Sequence, residues 1–149
     1  MQKNLDQSID PPHNILARLV DKLSQGAVDE VLKASQVLAI KHRKSIQVWK
    51  LIGSAAFQKS ELRLAETALK HVVSLSSNDP VAFANLGKVQ HRLGEAKDAI
   101  ASFQKSISIN SNVDDSWFNL GLSFTSLGDA SSAIGAYQQT IKLNPTHYG

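Results

Sequence analysis

Few side chains in this chain could carry out catalysis, and none lies in a pattern that would activate it. Cysteine is absent, which excludes thiolate nucleophiles, thiolate metal ligands and disulfides. The serines have no neighbouring His or acid pattern typical of an activated nucleophile, and no glycine-rich phosphate loop follows a strand pattern. The histidines show no metal-ligand spacing; they are His13, His42, His71, His91 and His147. We therefore expect no enzymatic activity, no metal ion and no cofactor.

Two groups of basic residues could instead bind an anion. Lys88 and Arg92 lie four residues apart, so on a helix they would share one face and attract a carboxylate or an acidic peptide. Ordinary solvated charge is the alternative interpretation. The Lys-His-Arg-Lys run at 41–44 closes a helical pattern, where cations favourably meet the negative end of the helix dipole. No aromatic residue is interleaved with this run and the net charge is only +3, so we expect no nucleic-acid partner.

The composition indicates one folded domain. Hydrophobic residues make up 42% and charged residues 19% of the 149 residues, which suits a globular chain rather than a disordered one. No apolar run reaches the roughly 20 residues that a membrane span needs. The N-terminus lacks the apolar core of a secretory signal. We expect a cytoplasmic protein without a membrane partner, and the absence of cysteine is compatible with that location.

Five columns of residues recur every 34 positions, which indicates an internal repeat. The first half of each repeat carries an aromatic, an aliphatic and a glycine column: Trp49, Phe83 and Trp117; Ile52, Leu86 and Leu120; Gly53, Gly87 and Gly121. The second half carries a small and a bulky column: Ala65, Ala99 and Ala133; Leu69, Phe103 and Tyr137. Because small residues remove side chains where two helices cross, these columns predict closely packed helices with the bulky side chain beside the crossing.

Each repeat predicts two helices separated by a turn. In residues 114–147, apolar residues recur at helical spacing, Leu-Gly-Asp at 127–129 interrupts them, and a second run ends before Pro145. Asp79 followed by Pro80 is typical of an N-cap with proline at the first helical position. The sequence therefore predicts an all-α fold.

These columns resemble the signature of the tetratricopeptide-repeat family, in which Trp, Leu-Gly, Tyr, Ala, Phe and Pro recur with a period of 34. Residues 114–147 match it best, through Trp117, Leu120, Gly121, Phe124, Ala133, Tyr137 and Pro145. Residues 80–113 and 46–79 keep the five columns but carry Gln90 or Ala56 at the second aromatic and Ser111 or Ser77 at the proline. The resemblance, which extends to the N-terminal repeat regions of bacterial proteins, implies a right-handed superhelical α-solenoid of antiparallel helix pairs with about eight helices.

One further period back, residues 12–45 are interpreted as a degenerate first repeat that caps the N-terminus. Gly26 falls in phase with the turn residues Ser60, Gly94 and Gly128, whereas Ile15, Leu19 and Val31 occupy the signature columns. Asp10-Pro11 predicts the start of its first helix. The predicted organisation is a flexible tail at 1–9 and a repeat domain at 10–149, with repeats at 12–45, 46–79, 80–113 and 114–147.

The family resemblance implies a protein-interaction scaffold that binds a peptide or partner protein in a concave groove lined by the first helix of each repeat. The predicted groove residues are Gln47, Lys50, Ser54, Asn85, Lys88, His91, Arg92, Asn119 and Leu122. Lys50, Lys88 and Arg92 favour an acidic partner. Asn85 and Asn119 share one column and could hold a peptide backbone as an amide ladder, although Leu51 interrupts that column.

Two further expectations concern the longer protein and the C-terminal end. The alternative function is the N-terminal, substrate-recruiting repeat region of a larger sulfotransferase or glycosyltransferase. In this chain a first repeat that matches the signature poorly precedes repeats that match it well, and this arrangement resembles the N-terminal region of such bacterial enzymes. At the other end, Ile134, Tyr137 and Ile141 should lie uncovered on the last helix. We therefore expect either a truncated chain or self-association through residues 130–149.

Overall fold

The computed structural model describes residues 9–146, and the described part of the chain contains eight α-helices and no strand. The predicted tail at 1–9 lies outside the described residues except for Ile9, and His147 and the end of the predicted 130–149 surface lie outside them too. The helices are α1 (His13–Ser24), α2 (Val28–Lys41), α3 (Ile46–Gln58), α4 (Leu62–Leu75), α5 (Pro80–Arg92), α6 (Ala96–Ile109), α7 (Asp114–Ser126) and α8 (Ala130–Leu143). They form two compact units, unit 1 ending at Ser76 and unit 2 beginning at Ser77.

The helix starts and turns follow the 34-residue period. The predicted N-cap is confirmed, because Asp79 Oδ1 accepts a hydrogen bond of 3.0 Å from the Ala82 amide and Pro80 opens α5. Gly94 has a positive φ of 80° in the turn after α5, and Ser60 adopts 63° at the same place after α3. The predicted start of α1 was wrong: Asp10 does not cap that helix, because its carboxylate accepts a hydrogen bond from Ser45 Oγ at 2.5 Å.

Unit 2 confirms the predicted packing columns. A Cβ atom on Gly87 would lie 2.8 Å from Phe103 Cε1, and one on Gly121 would lie 2.5 Å from Tyr137 Cε1. The ring of the second helix therefore lies directly on the glycine of the first, at a distance that no other residue type permits without a shift. This contact joins α5 to α6 and α7 to α8 as tightly packed pairs.

Unit 1 contains one pair of this kind and one that differs. In the α3–α4 pair, a Cβ atom on Gly53 would lie 3.2 Å from Leu69 Cγ. In the α1–α2 pair the sizes are reversed, because Leu19 stands in the glycine column and Ser35 in the bulky column. Leu19 is the one buried residue of α1, and α1 contacts α2 far less than α3 contacts α4. A leucine at the crossing prevents the close approach that glycine allows, which accounts for the loose packing of α1.

The buried polar side chains of α4 and α5 have bonding partners. Gln90, which replaces an aromatic residue of the signature, is buried and accepts a hydrogen bond of 2.6 Å from Ser102 Oγ. Glu66 is buried on α4; burial opposes its charge, but contacts from Lys70 Nζ at 2.6 Å and Arg63 Nη1 at 3.3 Å hold its pKa below the usual value.

The last helix leaves part of its apolar face uncovered. Ile134 and Ile141 are 57% and 56% exposed, as expected. Tyr137 is not uncovered, which corrects that expectation: its ring packs on Gly121 and on Phe118, with 5.9 Å between the ring centroids. No helix within residues 9–146 combines the length and the apolar character needed to cross a membrane.

Candidate binding site

An apolar depression of unit 1 lies between α1 and α3 and has a volume of about 760 Å³. We call it the α1–α3 groove. The apolar part of its lining from α1 consists of Leu16, Ala17, Val20 and Leu23. Its lining from α3 consists of Gln47, Lys50, Leu51 and Ser54. The structure thus brings the three site residues predicted in unit 1 together along one side of a preformed groove.

Charged and polar groups border this groove. Asp10 and His13 line it near the start of α1, and Asp21 lines it near the end of that helix. Lys50 is half-buried, and Gln47 and Ser54 are exposed. An apolar floor with a few polar groups around it is typical of a ligand site, and the volume falls within the usual range of roughly 300–1,000 Å³.

The remaining predicted residues lie on α5 and α7 of unit 2, and an ion pair joins these two helices. Lys88 Nζ lies 2.5 Å from Asp115 Oδ2. The Asn119 side-chain amide donates to the Asp115 carbonyl at 2.7 Å and to Asp115 Oδ1 at 3.1 Å. The Lys88 cation therefore already faces a carboxylate, and the Asn119 amide nitrogen is engaged within its own helix.

A second polar contact between α5 and α7 orients His91. Ser123 Oγ donates its proton to the Asn119 carbonyl at 2.9 Å and lies 3.2 Å from His91 Nδ1. Asn85 and Arg92 are exposed on α5, and Leu122 is half-buried on α7.

Two parts of this arrangement were missed from the sequence. The contribution of α1 was missed because the first repeat lacks the family columns, although Leu16, Val20 and Leu23 do recur at helical spacing. The ion pair of Asp115 with Lys88 of the preceding repeat was not predicted either. The pair could have been predicted from the opposite charges of Lys88 and Asp115, which lie on the first helices of adjacent repeats. Among residues 9–146, no three His, Asp or Glu side chains lie close enough to hold a metal ion.

The helix pairs and their grooves define the class of helical-repeat interaction proteins, and comparison with known proteins specifies the family. Residues 81–113 and 115–147 each match a family model described as tetratricopeptide repeat. No curated protein is significantly similar to the chain in sequence. The chain thus carries two tetratricopeptide repeats within residues 81–147, in agreement with the predicted resemblance to that family, and its fold is all-α, as predicted.

Solved structures of this fold are similar to the chain. A crystal structure of MamA has a TM-score of 0.81 and 26% identity, over 84% of this chain and 73% of that one. MamA from Desulfovibrio magneticus RS-1 has a TM-score of 0.85 and 15% identity, over 96% and 80%. YrrB, described as a tetratricopeptide-repeat protein with an unusual peptide-binding site, has a TM-score of 0.81 and 17% identity, over 85% and 65%. At these identities, the last two similarities show the fold alone.

Proposed function

We propose that this chain is a protein-interaction scaffold that binds a peptide segment of a partner along the first helices of its repeats, with the α1–α3 groove as the main anchoring site. The observation that carries this proposal is the groove itself, an apolar depression of about 760 Å³ with three of the predicted site residues along one side. The description of YrrB as a peptide-binding member of the same fold is consistent with it.

The groove suits an apolar side chain of an extended or helical peptide. Leu16, Val20 and Leu51 offer aliphatic surface, while Lys50 and Asp21 at its border can meet polar or charged groups of the peptide. Because the groove exists before binding, the protein loses little conformational entropy when the peptide enters. The proposal therefore predicts binding that depends more on apolar contact than on charge.

The preference for acidic peptides is a narrower proposal, located on α5. A carboxylate of the peptide must compete with Asp115 for Lys88, whose nitrogen lies 2.5 Å from that side chain. Arg92 is one helical turn further along α5 and exposed. We therefore propose a modest acidic preference, smaller than two solvent-facing cations would produce without Asp115.

Peptide selection on the full chain tests both proposals. Peptides chosen from a random phage-displayed library would be measured by calorimetry against the wild type and a variant with Val20→Glu and Ser54→Glu. Both positions are exposed on the groove, so the fold should persist, and charge in the apolar groove should weaken binding about tenfold or more. Lys88→Glu with Arg92→Glu should weaken acidic peptides several-fold and reduce their salt dependence.

The control is Thr67→Glu, which adds one glutamate at an exposed position of α4 away from the groove. Its affinity should equal that of the wild type. If Val20→Glu with Ser54→Glu binds the selected peptides as tightly as Thr67→Glu does, the groove is not the anchoring site. Affinity for acidic peptides that is unchanged by the Lys88 and Arg92 substitutions rejects the acidic preference alone.

We also propose that the C-terminal repeat associates weakly with a second copy of the chain. Ile134 and Ile141 supply exposed apolar surface on α8. Between residues 116 and 146 the charged residues are Asp129 and Lys142, so like-charge repulsion between two such surfaces is small. The part of this predicted association surface at 147–149 lies outside the described residues.

A further inference from the structure

Two aliphatic residues stand exposed on the outer face of α2. Val37 is 67% exposed and Ile40 is 72% exposed. These are the two highest values among the large hydrophobic residues within residues 9–146. They lie three residues apart, so they occupy adjacent turns on one side of the helix. The opposite side of α2 is buried through Val31, Leu32 and Ala39. Exposure of this pair is therefore a property of the folded unit and not of a frayed helix.

The other repeats provide an internal comparison for these two positions. The column of Val37 contains His71, Lys105 and Gln139 in the later repeats. The column of Ile40 contains Ser74, Ser108 and Lys142. Every other second helix therefore has polar residues at these columns. They are exposed except for His71, which is half-buried and packs on the Trp49 ring. The first repeat alone places two aliphatic side chains there.

Cations surround the aliphatic pair. Lys33 and Lys41 lie four residues before Val37 and four residues after it, and Arg43 and Lys44 follow in the turn after α2. All four side chains belong to exposed residues. No Asp or Glu occurs between Glu30 and Glu61. Asp29, four residues before Lys33, attracts that cation and is itself ion-paired with Lys59, so the charge of Lys33 is only partly balanced. We call Lys33, Val37, Ile40, Lys41, Arg43 and Lys44 the α2 patch.

The later repeats also lack these cations. The positions that correspond to Arg43 are Ser77, Ser111 and Pro145, and those that correspond to Lys44 are Asn78, Asn112 and Thr146. Stabilisation of a helix end by cations accounts for Lys41 but not for the exposed aliphatic pair beside it. Two independent features, positive charge and apolar exposure, thus coincide on α2 and the turn that follows it.

We propose that the α2 patch is a second interaction surface, separate from the α1–α3 groove, and that it binds an acidic amphipathic helix of a partner protein. Aliphatic residues three or four positions apart on that helix would cover Val37 and Ile40, and flanking carboxylates would meet the surrounding Lys and Arg side chains. Charge complementarity selects an acidic partner, and the aliphatic pair requires that the partner also be apolar.

The patch fits a protein helix better than an anionic membrane. Helices that bind in the membrane interface sink an apolar face rich in Trp, Phe or Leu by about 5–10 Å into the headgroups. The α2 patch has two short β-branched residues, and the rest of the helix is held in the packed unit. Nor does it fit a nucleic acid, because no aromatic side chain is interleaved with the cations.

The experiment follows amide shifts of the full, isotope-labelled chain on titration with a synthetic helical peptide that carries leucines three and four residues apart, flanked by glutamates. A second peptide replaces each glutamate by glutamine. We expect shifts concentrated in residues 33–45, and binding that weakens about tenfold or more with the glutamine peptide at low salt. Shifts concentrated on α1 and α3 instead, or equal binding of the two peptides, would overturn the proposal.

Substitutions taken from the later repeats separate the two features of the patch without endangering the fold. Val37→Gln with Ile40→Ser removes the aliphatic pair, and we expect about tenfold or greater weakening. Arg43→Ser with Lys44→Asn removes two cations, and we expect several-fold weakening that disappears at high salt. The control is Lys105→Gln, the position of α6 that corresponds to Val37, which should leave binding unchanged. Unchanged binding by both double variants would overturn the proposal.

Two further measurements decide between kinds of partner. Vesicles of phosphatidylserine and phosphatidylcholine that bind the chain through the patch, without binding of the acidic peptide, would make the partner a membrane and overturn the proposal. If the chain self-associates and the double variant Val37→Gln with Ile40→Ser abolishes that association, the partner is a second copy of the chain. That result would also overturn the proposal. Retained groove binding in these variants distinguishes failure of this proposal from failure of the groove proposal.

Discussion

The first repeat and the third repeat solve the same packing problem with opposite distributions of side-chain size. In the third repeat, Gly87 on α5 receives the Phe103 ring of α6, and the two helices pack tightly. In the first repeat, Leu19 stands where the glycine would be and Ser35 where the ring would be. The larger side chain thus belongs to the first helix of this pair instead of the second, and α1 contacts α2 only loosely.

This difference links a loss of packing to a gain of binding surface. Where glycine meets an aromatic ring, the helix pair is closed and its crossing is filled. Where leucine meets serine, α1 keeps Leu19 as its one buried residue, and Leu16, Val20 and Leu23 line a groove. Side chains that a tighter pair would bury are thereby available to a ligand, at the cost of stability in the first repeat.

The largest expected effect comes from filling the tight crossing. Gly87→Leu should lower the free energy of unfolding by about 3 kcal/mol, because even a Cβ atom would lie 2.8 Å from the Phe103 ring. Thermal or denaturant unfolding measures the change. A melting temperature equal to that of the wild type would show that the ring yields easily and that the crossing is not tightly packed.

A matched helical glycine controls for the intrinsic effect of replacing glycine. A Cβ atom on Gly135 in α8 would meet nothing within 4 Å. Gly135→Ala should therefore raise stability by about 0.5–1 kcal/mol through reduced entropy of the unfolded chain. Gly87→Ala, in contrast, should lower stability. If both alanine variants change stability in the same direction, the contact with Phe103 is not the determining difference.

The loose crossing of the first repeat allows a smaller, stabilising change. Ser35 is fully buried, and its hydroxyl has no hydrogen-bond partner among the described residues. Ser35→Ala should raise the free energy of unfolding by about 1 kcal/mol, since a buried unsatisfied polar group is removed with little change of volume. Denaturant unfolding at constant pH measures this. Lower stability would indicate that the hydroxyl is bonded to an internal water.

The smallest expected effect concerns self-association at the other end of the chain. Sedimentation velocity at increasing protein concentration should show weak association that Ile134→Gln with Ile141→Lys removes, because these side chains are more than half exposed. Gln139→Lys on the same helix controls for added charge. Tyr137 is left intact, since its packing on Gly121 is part of the fold. A wild type that stays monomeric at high concentration rejects the association.

Local steric rules let the sequence alone establish the helical period, the turns and the tight crossings. A 34-residue recurrence of Gly, Ala and a bulky residue predicts which side chains meet, because helix geometry relates positions within one repeat. Asp79 and Pro80 predicted the start of α5 because an N-cap is a contact within one turn. The same reasoning placed Gln47, Lys50 and Ser54 on one face of α3, where they line the α1–α3 groove.

Only the tertiary structure decided how far apart the helices stand and which charges meet. The pair between Lys88 and Asp115 joins two repeats, and no rule within one helix relates their side chains. The α1–α3 groove depends on the distance between two helices of different repeats, which the residue pattern within one helix does not determine. The exposure of Val37 and Ile40 likewise depends on which face of α2 the other helices cover, which is a property of the assembled unit.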